Sequence, residues 1–579
     1  MVEWLLPSPH TSVQGRGLRH GQRVREVAPN SRSVTFGLPP LVRLTPAAGA
    51  DREMRRAREG RRGACLVDRV GLTSDKEACN DAQRGRIPRK NPPPKGSGPV
   101  ADRHAGRGAA AARDAVPTKY LPQVEVRELP RPPDRMGRLV GPGIIAAGVG
   151  LASGEFIIYP YMASQVGLVF LWAALVGLVT QFFINMEIER YTLATGETAL
   201  TGFSRFWRHW GLAFAIMTYF ANLWPGWATS SATMVTYLFG GSSRWIAIAM
   251  MLAIGAILTL APVVYTALER LEMLKVAAVL LLIIVAIVVA ISPDAWSDLS
   301  QAVTRASFPY QDLGFALVSS ALVFAGGGGA QNLCQSNWIR DKRFGMGSYV
   351  PRITSPVTGE EEAAPSTGFV FEPTDENMRR WRRWWNFANV EQLSTFVLIT
   401  FISIVFMSML AYSTVFGMEG LSGDISFLEA EGRRLMDAVA PWFGVFFWAI
   451  GAFSLFAAAT GIVDYTSRLA ADVLETSYVR NASESKLYFA LVWGLIFIGC
   501  LVLLAGLTQP LVLLVISACV GGGMMFVYSA LLIVLNRKML PEPIRIRGFR
   551  TAALVWAVLL FGVFSALTIW EQGAKLLSG

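Results

Sequence analysis

The chain has 579 residues, is 52% hydrophobic and has a mean hydropathy of +0.39. Several apolar runs exceed the 18 residues that read as a membrane span, so this is the composition of a polytopic membrane protein. The net charge of +11 does not point to nucleic acid. Residues 1–135 hold 26 Lys/Arg and 14 Asp/Glu, a net of +12, which leaves 11 − 12 = −1 for the remainder.

Only His209 of the four histidines lies beyond residue 135, which argues against a histidine-built metal site or proton relay in the membrane. Five cysteines are scattered without zinc spacing; Cys334, Cys500 and Cys519 fall in apolar stretches and read as buried thiols.

Residues 1–135 are rich in Arg, Pro, Gly and Ala, with no sustained periodicity. They are expected to form a disordered basic extension that builds no core, and whose removal is tolerated. They lack the apolar core of a signal peptide. A basic arm touching anionic lipid is the functional alternative. Met136, just before Gly137-Arg-Leu-Val-Gly-Pro-Gly143, is a natural start for a membrane domain over 136–579.

Eleven spans are predicted, near 140–165, 168–189, 211–238, 245–263, 273–292, 312–338, 391–416, 442–464, 487–506, 509–536 and 551–571. A short amphipathic helix is expected at Phe427–Asp437. Two spans are interrupted. The sixth contains Gly326-Gly327-Gly328-Gly329, and each interior glycine costs a helix about 1 kcal/mol relative to alanine. The first opens at Gly141-Pro142-Gly143 and breaks near Gly150-Leu151-Ala152-Ser153-Gly154-Glu155. Unwound backbone at membrane depth is tolerated only where protein or a wet cavity covers it.

Twenty-one basic residues, from Arg190 through Lys275 to Arg550, fall in loops of one side, and five on the other. Positive charge stays cytoplasmic, so the N-terminus is predicted inside and the C-terminus outside. Five spans, then five, then one requires the second five to be inverted. Inverted repeats with equivalent broken helices 1 and 6 define an all-α fold of the leucine-transporter type, with the substrate site at the breaks.

Several stretches resemble the Nramp family of divalent-metal transporters. Gly141-Pro142-Gly143 opens the first span as that family's Gly-Pro-Gly does. Gln165-Val-Gly-Leu-Val-Phe-Leu-Trp172 is similar to its link into the second span, Leu193-Ala-Thr-Gly-Glu-Thr198 to the end of that span, and Asn332-Leu333 to part of its sixth-span motif. The resemblance covers about residues 138–571. It implies a secondary transporter working by alternating access. It also shows departures. The family's metal-ligating Asp-Pro-Gly-Asn falls on Ala152, Ser153, Gly154 and Glu155, and its Met-Pro-His on Gly329, Ala330 and Gln331. The soft thioether that favours transition metals is gone.

The expected substrate site therefore consists of Glu155, Ser153, Gln331 and Asn332, with the carbonyls of Ala152 and Gly328 completing an oxygen cage. Glu155, Gln331 and Asn332 are the metal-ligand candidates, and oxygen donors suit Mg, Ca or Mn. Glu155 is also placed to cap the following half-helix. Asp464, Thr466 and Ser467, near the inner end of the eighth span, are candidate holders of a coupling proton or sodium ion, or interfacial caps.

Asn222-Leu-Trp-Pro-Gly226 is expected to kink the third span, Glu187 and Glu189 to sit at the interface, and Gly521-Gly522-Gly523 to permit close helix contact. Residues 340–390 are expected to be a long cytoplasmic loop, with an interfacial helix around Arg379–Trp385.

Two transport readings stand side by side: a divalent metal cation (Mn/Mg/Fe class), or an organic solute such as an amino acid, carried by a cation-coupled symporter. A non-transporting sensor is a third class. No nucleophile–base pair or nucleotide loop supports an enzyme. No resident cofactor and no nucleic-acid partner is expected. The bilayer and a small substrate are the partners, the setting a plasma (bacterial inner) membrane.

Overall fold

The computed structural model describes residues 116–133 and 141–578, save 303, 351, 356–367, 422–423 and 480–481. Most of the expected basic extension, including Cys65 and Cys79, lies outside the described residues. The part that is described departs from the expectation. A strand β1 (Glu125–Val126) follows Val116, Leu121 and Val124, which are buried, and Leu129 beyond it is buried too. This stretch has too few apolar side chains to show periodicity, yet it packs because the membrane domain offers it a surface.

The first span is α1 (Pro142–Gly150), a π-helical turn (Ser153–Ile158) and α2 (Tyr159–Val166). Pro142 stands in the first helical turn, where its missing N–H costs nothing. The second span is α3 (Trp172–Thr195), ended by Gly196 at φ +69°. α4 (Ala199–Phe206) is capped by Thr198, whose side chain accepts from Thr201 N.

α5 (His209–Asn222) and α6 (Gly226–Phe239) make a broken third span. α7 (Ser243–Leu260) and α8 (Val264–Val289) follow, then a short α9 (Pro293–Gln301). The sixth span is α10 (Tyr310–Phe324) and α11 (Ala330–Asp341), separated by the glycine run.

A strand β2 (Phe369–Val370) pairs in parallel with β1. α12 (Asp375–Gln392), capped by Thr374, passes through a π-helical turn (Leu393–Val397) into α13 (Leu398–Val415). Residues 340–390 are therefore not simply a loop: their last part is the start of a helix of 41 residues. The aromatic residues of α12 face protein. Trp381 and Trp384 are buried, and Trp384 Nε1 donates to Pro130 O at 2.9 Å, while Arg379, Arg382 and Arg383 stay exposed.

The expected amphipathic helix is α14 (Phe427–Ala438). α15 (Pro441–Ser477), α16 (Glu484–Leu504), α17 (Pro510–Lys538) and α18 (Phe549–Ser578) complete the chain. Among the described residues, eight helices are long and apolar enough to cross a membrane. The other three predicted spans miss that measure for local reasons. The third and sixth are broken, and α3 carries Gln181, Asn185, Glu187 and Glu189 along its length.

Burial shows which spans are central. Span 1 is 89% buried within its most apolar window, against 28% for α7 and α18. A helix so enclosed has little lipid contact, so its polar residues must be satisfied by protein or by what the protein carries.

Candidate functional site

The first break begins where α1 ends. Leu151 and Ala152 leave the helix, Ala152 at φ −149° and ψ −91°. Leu151 O accepts from Ser454 Oγ of α15 at 3.0 Å. Ala152 N donates to Glu155 Oε2 at 3.2 Å, so Glu155 does cap the start of the second half-helix. Its other oxygen, Oε1, has no partner, although the residue is fully buried. A buried polar atom without a partner is rare and calls for an explanation.

The second break is held by a residue the sequence reading did not single out. Gln181 of α3 accepts from Gly327 N at 2.6 Å and donates to Leu322 O and Val323 O at 3.2 and 2.9 Å. It thereby meets backbone groups that the interrupted helix leaves free. A lone glutamine in an apolar span was the signal for it. Gly328 and Gly329 lie in the left-handed region, at φ +64° and +86°, which glycine adopts without the penalty a side chain would meet. Asn332 Nδ2 donates to Gln181 Oε1 at 3.3 Å, while its Oδ1 has no partner.

The two breaks meet in direct contact. A Cβ on Gly154 would overlap the Phe324 carbonyl, and one on Gly150 would lie 2.9 Å from Gly326 O. Gln331 Nε2 donates to Ala146 O at 2.6 Å, tying the start of α11 to α1. Glu155, Ser153, Ala152, Gln331 and Asn332 are all buried here.

The predicted oxygen cage is not assembled as expected. Ala152 O already accepts from Phe156 N at 2.9 Å. Gly328 O faces α17, where a Cβ on Gly521 would be 2.5 Å away. Free oxygens instead remain on Glu155 and Asn332. Gln335, one turn beyond Gln331, is buried with both amide atoms unpartnered. Among the described residues no three His, Cys, Asp or Glu side chains converge as a metal site would require.

Lys275 was read above as a loop charge. It is instead fully buried in α8. Its Nζ donates to Gly148 O in the last turn of α1 and pairs with Glu272 Oε2 at 3.3 Å. An ammonium at the C-terminal end of a half-helix meets the negative end of its dipole. The first break is thus served by the carboxyls of Glu155 and Glu272 and one amine.

Two of the three coupling-ion candidates, Asp464 and Thr466, are engaged by protein groups, while the Ser467 hydroxyl has no hydrogen-bond partner among the described residues. Asp464 Oδ1 accepts from Arg468 Nη2 at 2.9 Å and from Tyr488 Oη at 2.7 Å. Thr466 Oγ1 donates to Ile462 O at 2.7 Å and accepts from Asn222 Nδ2 at 2.9 Å. That second bond shows the third-span kink packed on α15. Ser467 is buried beside them. With Arg468 on Asp464, this acidic group has its cation already.

Around it, the side carrying the basic loops is closed by ion pairs. Arg468 also binds Asp341 at the end of α11, and Arg340 meets Asp472 of α15 at 2.6 Å. Lys342 pairs with Glu269 of α8 at 2.5 Å. In the turn after α3, Glu197 takes Arg205, the Tyr191 hydroxyl and Gly368 N. Burial alone would raise the Glu197 carboxyl, but the Arg205 charge and these hydrogen bonds hold it below its ordinary value.

The expected interfacial charges Glu187 and Glu189 are both fully buried, Glu187 paired with Arg190 at 2.7 Å. Gly521 permits the close approach expected of it, against Gly328, whereas a Cβ added at Gly523 would meet nothing within 4 Å.

No protein-family model matches the sequence, and no curated protein matches it. The fold is nonetheless shared. Crystal structures of two variants of the Eremococcus coleocola manganese transporter align with TM-scores of 0.58 and 0.57 at 12% identity, over 78% and 79% of this chain and 91% and 92% of theirs. The same transporter bound to an aromatic bis-isothiourea compound aligns at 0.54, over 79% and 92%. The chain is thus an all-α, multi-pass membrane protein of the leucine-transporter-type fold, with spans 1 and 6 broken at a common place. At this identity the likeness concerns fold.

Proposed function

We propose that this chain is a secondary transporter, a divergent Nramp relative, carrying a divalent metal cation by alternating access. The observation that supports this best is the free Oε1 of Glu155, a fully buried carboxylate at one helix break packed against the other. Carboxylates within the membrane are costly and usually serve a pathway. The oxygen-only donors, Glu155 and the Asn332 carbonyl, favour a hard ion such as Mg or Mn over copper.

A second reading rests on Lys275. A fixed ammonium beside the first break, with amides rather than carboxylates at the second, suits an organic solute that brings its own carboxylate. Uptake by purified protein in liposomes, screened against Mn, Mg and Fe(II) and against amino acids, separates the two. Glu155→Gln keeps the size and one oxygen while removing the charge. Metal uptake is expected to fall at least tenfold, with expression and monodispersity unchanged. Undiminished metal uptake in that variant removes Glu155 from the site. Persisting amino-acid uptake moves the assignment to the organic solute.

A further inference from the structure

Between α3 and α18 the protein surface carries an apolar groove of about 380 Å³, lined by Val179 and Phe183 on one side and Phe549, Ala553 and Trp556 on the other. The one hydroxyl in its wall, Thr180 Oγ1, already accepts from Trp556 Nε1 at 3.1 Å. Leu175, Val179, Phe549 and Trp556 are all more than 40% exposed. In a membrane-spanning chain such a groove faces acyl chains.

What sets it apart is its mouth. Phe183 meets Phe549 edge-on at 5.3 Å, and the next residue, Arg550, lies over Phe183. Arg550 and Arg190 share a single carboxylate, Glu187, at 3.2 and 2.7 Å. Both guanidiniums also lie over the Trp385 ring, at 4.6 and 4.2 Å. Two cations on one anion leave an unbalanced positive charge. One turn before Trp385, the exposed Arg382 adds another, with Arg383 beside it. These residues belong to the basic side, where the headgroups of the bilayer stand.

We infer that this groove is a seat for an anionic phospholipid, one acyl chain lying between α3 and α18 and the phosphate facing the partly exposed Arg550, with the buried Arg190 adding its charge from behind. Arginine suits phosphate because its planar fork donates two parallel hydrogen bonds. Basic residues at the headgroup level attract anionic lipid. A zwitterionic lipid offers the same chain without the net charge.

The test uses the full chain in detergent, incubated with equal amounts of dioleoyl phosphatidylglycerol and dioleoyl phosphatidylcholine, with retention read by native mass spectrometry. Wild type is expected to retain phosphatidylglycerol over phosphatidylcholine by roughly fivefold, the effect of one basic residue near the surface. Arg550→Gln, which leaves Glu187 paired with Arg190 and so leaves the fold intact, brings the ratio to parity. Ala553→Trp fills the groove and lowers phosphatidylglycerol retention equally.

Should Ala553→Trp misfold, brominated acyl chains replace it: a share of the tryptophan quenching that is present in wild type and lost in Trp556→Phe places the chain in the groove. Equal retention of both lipids by wild type, or a preference untouched by Arg550→Gln, overturns the proposal. So does a preference that inorganic phosphate removes while Ala553→Trp does not, which would mean a plain anion site without a lipid chain.

Discussion

Lys275 shows how one residue changes the meaning of a site. Its position near the predicted start of the fifth span made it look like a loop charge, and burial turned it into the cation of the first break. The ammonium is matched by Glu272 at 3.3 Å with neither side chain exposed. Removing one partner of a buried pair leaves the other uncompensated, at a cost of about 3–5 kcal/mol. Lys275→Met is therefore expected to lower the melting temperature of the detergent-solubilised protein markedly, and Lys275→Met with Glu272→Gln to recover most of the loss. A single variant that melts like wild type would show that the pair contributes no charge interaction.

Gly329 carries the opposite lesson. The resemblance to Nramp suggests restoring the metal site with Ala152→Asp and Gly329→Met. At φ +86°, with Gly521 O 2.6 Å from any added Cβ, position 329 cannot take methionine without moving α17 away. Gly329→Met is expected to reduce folded yield on size-exclusion chromatography rather than to create a metal ligand. Normal yield would mean that the glycine break has slack the structure does not show.

At the scale of elements, the stretch 116–133 acts as a strap across the basic side. Arg205 donates to Pro117 O and Pro122 O at 3.1 and 3.0 Å, while Glu197 holds Arg205 and the residue before β2. Because β1 pairs with β2, one ion pair connects both ends of the clasp. Deletion through residue 133 therefore removes buried contacts, contrary to the expectation that residues 1–135 are dispensable.

The pH dependence of the strap follows from the lowered Glu197 carboxyl. A group whose folded value lies below its unfolded one stabilises the fold fully above the unfolded value, here 4.5, and loses that contribution as pH falls through the folded value. Limited proteolysis of the strap should thus be constant at neutral pH and rise as the pH falls below 4.5 and through the lowered folded value. Arg205→Ala should make the strap labile already at pH 7, and equal protease resistance in that variant would detach the clasp from this pair.

At the scale of the whole molecule, the ion pairs of Asp341, Arg340 and Lys342 fasten the end of α11 to α15 and α8. On the proposed alternating-access reading this side has to open, and these pairs would part during the cycle. Removing one should shift the population toward the open form, by tenfold for each 1.4 kcal/mol withdrawn. Arg340→Ala is expected to raise alkylation of a cysteine placed at Ser336, which is fully buried here. Unaltered reactivity would show that the closure is held elsewhere. The buried network is in keeping with spans 6, 8 and 5 moving as packed units, because such cores switch between arrangements instead of bending continuously.

The sequence by itself determined the spans, the two breaks and the position of Glu155. Hydrophobic length, glycine runs and a carboxylate in an apolar stretch are local signals, and bilayer physics allows them few solutions. It also carried the kink at Asn222–Gly226 and the amphipathic helix at Phe427. Only the tertiary structure decided which polar atoms are spent and which are free. Gln181 serves the second break, Arg468 neutralises Asp464, and Gly328 turns its carbonyl to α17. The Gln181 pairing joins residues 146 positions apart in the chain, as the bond between Ala146 and Gln331 joins residues 185 apart, whereas Arg468 lies four positions from Asp464 on one helix. A hydrogen bond depends on fractions of an ångström in space, and hydropathy and residue spacing carry no such information.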